Sequence, residues 1–248
     1  MEDLNEIFTD CRATIISIVG RIERELIQGT IRLGVIPTIA PFILSTMLKA
    51  LRAEHPACKL FVREDLSHGL VNALQVGGLD VLLLALPFPA EQTDTLSLFE
   101  DPFYLATLPN STPALSQRLK TRDSQDAEML LLEEGHCLRE HALEACKLRE
   151  KDVTVPYQAT SLTTIVHMVA NGIGTTLLPK MSTDAGIAEG TDLVSRPFDE
   201  PDVSRQIGLV WRKKMPRKHE FTLLGDFISA CIDLHRVFQS EEEYETAL

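Results

Sequence analysis

The chain has 248 residues, 44% of them hydrophobic, enough to bury the core of one large domain or two small ones. A net charge of −12 repels phosphate backbones, and no basic stripe or helix-turn-helix pattern offsets it, so the chain alone is a poor DNA binder. The acidic start "MEDLNEIFTD" lacks a signal pattern, and the apolar runs fall far short of the roughly 20 residues that span a bilayer, which points to the cytoplasm.

In chain order, Leu4, Phe8, Cys11, Ile15, Ile18 and Ile22 recur at alternating spacings of four and three. That is the seam of a two-stranded coiled coil, with a terminal helix packed on its own domain as the alternative. After "QGT" the pattern turns to alternating elements: a strand "IRLGVIP", a helix "APFILSTMLKALRAEHP", a strand "CKLFVRE", a helix "SHGLVNALQVGG" capped by Ser67, and a buried strand "LDVLLLAL". A second set follows, with strands "PFYLATLP" and "EMLLLEE", a helix "HCLREHALEACKLRE", and the extended run "VTVPYQAT". The helix "SLTTIVHMVANG" is expected to be capped by Ser161, and "GTTLLPK" to be a strand. A proline-bearing loop "SRPFDEPDVS", a strand "RQIGLVWRK", a long helix from His219 and a frayed acidic tail complete the chain. The fold class is α/β in two similar lobes. Ligands in such folds bind beyond the strand ends, which makes Thr38 a candidate hydroxyl there, although a helix cap explains it as well.

Cys137 and Cys146 lie nine positions apart in "GHCLREHALEAC". In a continuous helix they would be separated by roughly 13.5 Å of rise and would face opposite sides. A disulfide needs Cα atoms within about 7 Å, so bridging them would require the segment to unwind. Cys137 falls in the first turn, where the helix dipole favours a thiolate, with Arg139 or a protonated His136 as added positive charge and Glu133 and Glu134 against it. Cys137 and His141 share a face, but no further ligands complete a zinc site. Spacing alone favours two unrelated buried cysteines over a switch. Five cysteines, an odd number in a reducing compartment, argue against a static disulfide scaffold, and Cys11, Cys58 and Cys231 read as structural.

The segment "EEGHCLREHALEAC" resembles the redox segment of the OxyR family, the peroxide-sensing LysR-type transcriptional regulators. The likeness extends through "LGVIPTIAPFIL", "GGLDVLLLAL", "ATSLTTIVHMVANGIGTTLLP" and "RQIGLVWR", over roughly residues 30 to 235. It implies a two-lobed fold like that of periplasmic binding proteins: a linker or dimerisation helix over 1–29, lobe I over 30–100 and 207–240, lobe II over 101–206, and an acidic tail over 241–248. It also implies that Cys137 is the peroxidatic thiol and Cys146 the resolving one, joined reversibly in an intramolecular disulfide. Thr38 and Ser67 match peroxide-holding hydroxyls, with serine standing where the family usually has threonine, before His68. His136 and Arg139 match the residues flanking the sensing thiol. Arg205 matches an arginine associated with the resolving cysteine, though a surface arginine on a strand edge explains it too.

Further expectations follow from the likeness. The partners are hydrogen peroxide, a second copy in a homodimer or homotetramer, a glutaredoxin- or thioredoxin-type reductant, and RNA polymerase through the parent protein. No membrane and no cofactor is implied. DNA binding would run through a winged helix-turn-helix that the family carries ahead of this region, so the chain reads as a regulatory-domain fragment. Oxidation would be stoichiometric and not enzymatic. The rivals are a metabolite-binding LysR-type effector domain without redox switching, a thiol peroxidase that turns over, and a solute-binding protein.

Overall fold

The computed structural model describes residues 27–115, 118–125, 128–148 and 159–246. The helix expected over 1–29, with Cys11 in its seam, lies almost wholly outside them, as does most of the run at 153–160.

Strand β1 (Gly29–Val35) pairs in parallel with both β2 (Cys58–Glu64) and β3 (Val81–Leu86). Helix α1 (Ala40–Glu54) buries Ala40, Ile43, Met47 and Leu51, the spacing of one helical face. It begins with Pro41 in its first turn, where the missing N–H costs nothing, and stops before Pro56. Helix α2 (Ser67–Gln75) packs between β2 and β3 in sequence, and its N-cap is Leu66, not Ser67 as expected. Every residue of β3 is buried, as its unbroken apolar run requires of a central strand covered on both faces.

Strand β4 (Thr93–Thr107) is far longer than the expected "PFYLATLP". Its residues 93–102 pair antiparallel with β8 (Ser204–Arg212), which in turn pairs with β3. Its residues 103–107 pair instead with β6 (Thr175–Pro179) and β7 (Val194–Pro197). Strand β5 (Met129–Leu130) adds in parallel to β6, giving the order β2-β1-β3-β8-β4-β6-β5 with β7 also on β4. The chain thus passes from one sheet to the other through β4 at Pro102 and returns before Ser204. Two hydrophobic cores follow, one around β1, β3 and β8 and one around β5, β6 and the end of β4.

Short helices α3 (Thr112–Leu115) and α4 (Thr121–Gln125) precede β5. Helix α5 (Cys137–Ala145) is shorter than the expected segment. In α6 (Leu162–Ala170), Ser161 is the N-cap as expected, its hydroxyl accepting from the Thr164 amide at 3.3 Å. A five-residue helix α7 (Lys180–Asp184) follows β6 directly. The last helix, α8 (Lys218–Thr246), continues through most of the acidic tail, where a frayed end was expected. Among the described residues no helix is long and apolar enough to cross a membrane.

Candidate functional site

Helix α5 starts at a sharp turn. Gly135 holds φ +95°, a left-handed conformation that strains any side chain, and this turn delivers His136 as the N-cap and Cys137 as the first helical residue. The two thiols of the helix then go to different places. Cys137 packs into the first core, with β1 and β3, whereas Leu138, Ala142 and Cys146 pack into the second. The helix is a strut with one cysteine anchored at each end in a different core. Neither cysteine is in a disulfide in this structure. With nine residues of rise between them, roughly 13.5 Å, the intact helix holds them too far apart to bond.

The far end of α5 is closed by a Schellman motif. The Leu148 amide donates to the Leu143 carbonyl at 2.8 Å and the Lys147 amide to the Glu144 carbonyl at 3.1 Å. Lys147 occupies the left-handed position, φ +53°, that glycine usually fills.

Four groups act on the Cys137 thiol. Burial pushes its thiol pKa up; the Ser67 hydroxyl, the Arg205 guanidinium and the Ala85 backbone pull it back down, and Glu140 adds a small upward push. Burial wins. The first-turn position therefore does not suffice to make a thiolate in the closed structure. The Ser67 hydroxyl makes no hydrogen bond of normal geometry to any group, yet stands close enough to the sulfur to favour its charged form.

Arg205 is no surface arginine: it is 2% exposed. Its Nε and Nη2 donate to Asp101 Oδ2 at 3.0 and 2.9 Å. Its Nη1 donates to Thr38 Oγ1 at 3.0 Å, and its Nη2 to the Thr38 carbonyl at 3.0 Å. Thr38 lies in the turn between β1 and α1, not in the helix, so its hydroxyl is committed to Arg205 and is no cap. The resemblance tied Arg205 to the resolving thiol; in the structure its charge bears on Cys137 and on His141, one turn along the same face.

The other two sequence candidates sit apart from the sulfur's charge balance. Burial lowers the His136 pKa, so this ring is neutral near pH 7 and supplies no positive charge. Arg139 turns back to donate to the Leu132 carbonyl at 3.3 Å. His68 is exposed and stacks edge-on against Phe88. His141, weighed as a metal ligand, has its pKa lowered by burial, and no group of three metal-binding side chains occurs among the described residues. Asp101 and Met181 lack a local signal in the sequence, since they pair with each other across 80 residues and Asp101 with Arg205 across 104. Beside this cluster a cleft of about 470 Å³ opens between Thr38, Phe42, Asp65, His136 and Ser161.

Comparison with known proteins agrees with this fold. Residues 24–231 match the model of the LysR substrate binding domain. The HTH-type transcriptional regulator EstR of Acinetobacter baylyi is 35% identical over 212 residues, covering 84% of this chain and 70% of its own. The dual regulator OxyR of Escherichia coli is 32% identical over 211 residues, covering 85% and 69%. Among solved structures, the reduced regulatory domain of OxyR2 from Vibrio vulnificus superposes with a TM-score of 0.77 at 40% identity, over 84% of this chain and 98% of that one. The chain therefore belongs to the LysR substrate binding domain family, a family of transcriptional regulators, and is similar within it to the regulatory domains of OxyR proteins.

Proposed function

We propose that this chain is a hydrogen-peroxide-sensing regulatory domain that switches by a reversible disulfide between Cys137 and Cys146. The observation that carries this reading is the split anchoring of α5, one thiol in each core. In the reaction, the Cys137 thiolate attacks one peroxide oxygen; the S–O bond forms, the O–O bond breaks, and the leaving hydroxide takes up a proton to become water. The resulting sulfenic acid is attacked by the Cys146 thiol, which forms the S–S bond and releases a second water. Two thiols are oxidised and one peroxide is reduced. Thr38 and Ser67 hold the peroxide beside the sulfur, and Arg205 stabilises the thiolate; His136 and Arg139 support the turn that presents it.

Bonding requires α5 to unwind and both thiols to leave their cores. That rearrangement changes the surface available to a second copy in a dimer or tetramer, and through it the placement of a winged helix-turn-helix on DNA and contact with RNA polymerase. A glutaredoxin- or thioredoxin-type reductant resets the switch. The cycle is stoichiometric, one peroxide per oxidation.

The test is non-reducing peptide mapping after one equivalent of hydrogen peroxide. A dominant Cys137–Cys146 link, reversed by dithiothreitol, is expected. Free thiols at both positions, or earlier oxidation elsewhere, would refute the switch. A second reading has its own support: the cleft beside Thr38 and the match to the LysR substrate binding domain suit a domain that binds a small metabolite without redox chemistry. A ligand-dependent rise in melting temperature that persists in Cys137→Ser would select it.

A further inference from the structure

A buried guanidinium is costly unless each donor is met and the charge is paired. At Arg205 the pairing falls to Asp101, whose side chain, like that of Arg205, is fully buried. Each oxygen of Asp101 is committed. Oδ2 accepts both Nε and Nη2 of Arg205, and Oδ1 accepts the Met181 amide at 2.9 Å, at the start of α7. The backbone fixes the carboxylate as firmly, because Asp101 and Arg205 face each other in the β4–β8 register, one pair before the strands part. Asp101 thus grips three things at once: the returning strand, the helix after β6, and the guanidinium. The donors it leaves over reach the Thr38 turn.

We propose that Asp101 is a positioning residue for the Cys137 thiol: it aims the Arg205 guanidinium so that one edge holds Thr38 and the charge stays beside the sulfur. The proposal rests on Cys137 being the reactive thiol. Asp101 touches neither sulfur nor peroxide in this scheme and acts through Arg205 alone. Arg205 is the cation that favours the Cys137 thiolate, and that effect decays as the charge moves away. Without the carboxylate, Nε loses its acceptor and the fork is held only by neutral groups, so it relaxes from the sulfur and from Thr38.

The experiment uses the full chain with Asp101→Asn, which keeps the volume and an acceptor for the Met181 amide. Cys137 reactivity is followed by mass spectrometry of its peptide, first with iodoacetamide across pH and then with hydrogen peroxide at pH 7. The alkylation midpoint is expected to rise by about one unit and peroxide oxidation to slow about tenfold, the thiolate fraction that such a rise removes. A folded variant whose midpoint is unchanged or lower overturns the proposal. If Asp101→Asn does not fold, Asp101→Glu keeps the charge but displaces it by one methylene and is expected to shift the midpoint upward by less. An unmoved midpoint there, or failure of both variants to fold, leaves Asp101 a purely structural role and also overturns it. If Cys137 of the unaltered chain resists peroxide, the sensor reading fails, while the alkylation midpoint still decides the role of Asp101.

Discussion

Replacing Lys147 with glycine should make the proposed Cys137–Cys146 disulfide harder to form, although residue 147 forms no part of it. In the reduced helix Lys147 sits at φ +53° and closes the Schellman motif with two backbone hydrogen bonds. A non-glycine side chain in that conformation costs about 1–2 kcal/mol. Leu148 and Leu143 pack on the second core just beyond, so the strain is held in place by apolar burial. Unwinding α5, as the proposed disulfide requires, would free Lys147 from the left-handed region, so the strain would be relieved only in the oxidised form. Glycine removes it from the reduced form but loses about 0.5–1 kcal/mol of backbone entropy on ordering. The net gain for the helix is about 0.5–1 kcal/mol, a roughly 2- to 5-fold fall in the equilibrium constant for bond formation. For a two-electron couple this raises the midpoint potential by about 10–20 mV. The assay is titration in glutathione buffers, with the Cys137–Cys146 link quantified by peptide mapping. An unchanged or lowered potential would refute the reasoning, because the strained cap would then contribute nothing to the poise of the switch.

Other predictions follow from the same environment. Ser67→Ala removes the hydroxyl facing the sulfur and should slow peroxide oxidation of Cys137 several-fold at neutral pH; an equal or faster rate would show that the hydroxyl does not favour the thiolate. Because burial outweighs the stabilising groups, the oxidation rate of the unaltered chain should still be climbing at pH 9, and a plateau near neutrality would contradict this. His55, His136 and His141 all have pKa values lowered from 6.5, chiefly by burial, so the unfolded chain binds more protons in acid. Their contribution to stability is complete above pH 6.5 and is lost as pH falls through the lower native values, so the melting temperature should drop between pH 7.5 and 5.5. A flat or rising profile would count against it. Gly208→Ala would set a Cβ against the Leu96 carbonyl at 2.6 Å where β8 lies between β3 and β4, and should cost about 1–3 kcal/mol in urea unfolding.

What the sequence reveals and what it hides divide along physical lines. The β1–α1–β2–α2–β3 series is legible because its signals are local: periodicity, Pro41 and Pro56 at the ends of α1, and the unbroken run of β3. The cysteine helix is legible from "GHCLREHALEAC", and its resemblance extends to Thr38, Ser67 and Arg205. The first part of β4 is not, because "TDTLSLFED" is half-exposed and becomes a strand only where β8 supplies its partner. Nor does anything near Asp101 announce Arg205, whose pairing arises from the antiparallel register. The left-handed Lys147 was hidden for another reason: the residue type argues against that conformation, and tertiary packing imposes it.

The path of β4 and β8 also bears on the order in which a growing chain can complete itself. Strand β3, all six residues apolar and covered, has β1 on one side and needs β8, residues 204–212, on the other. The strands of the second sheet are all present once β7 ends at Pro197, so they can pair while the older, N-terminal half still waits for β8. During synthesis the nascent chain therefore carries a sticky, unpaired β3 edge for more than a hundred residues, a stretch in which chaperone binding or misassembly competes with folding. A chain interrupted before Ser204 would keep that edge permanently, and aggregation would be its fate.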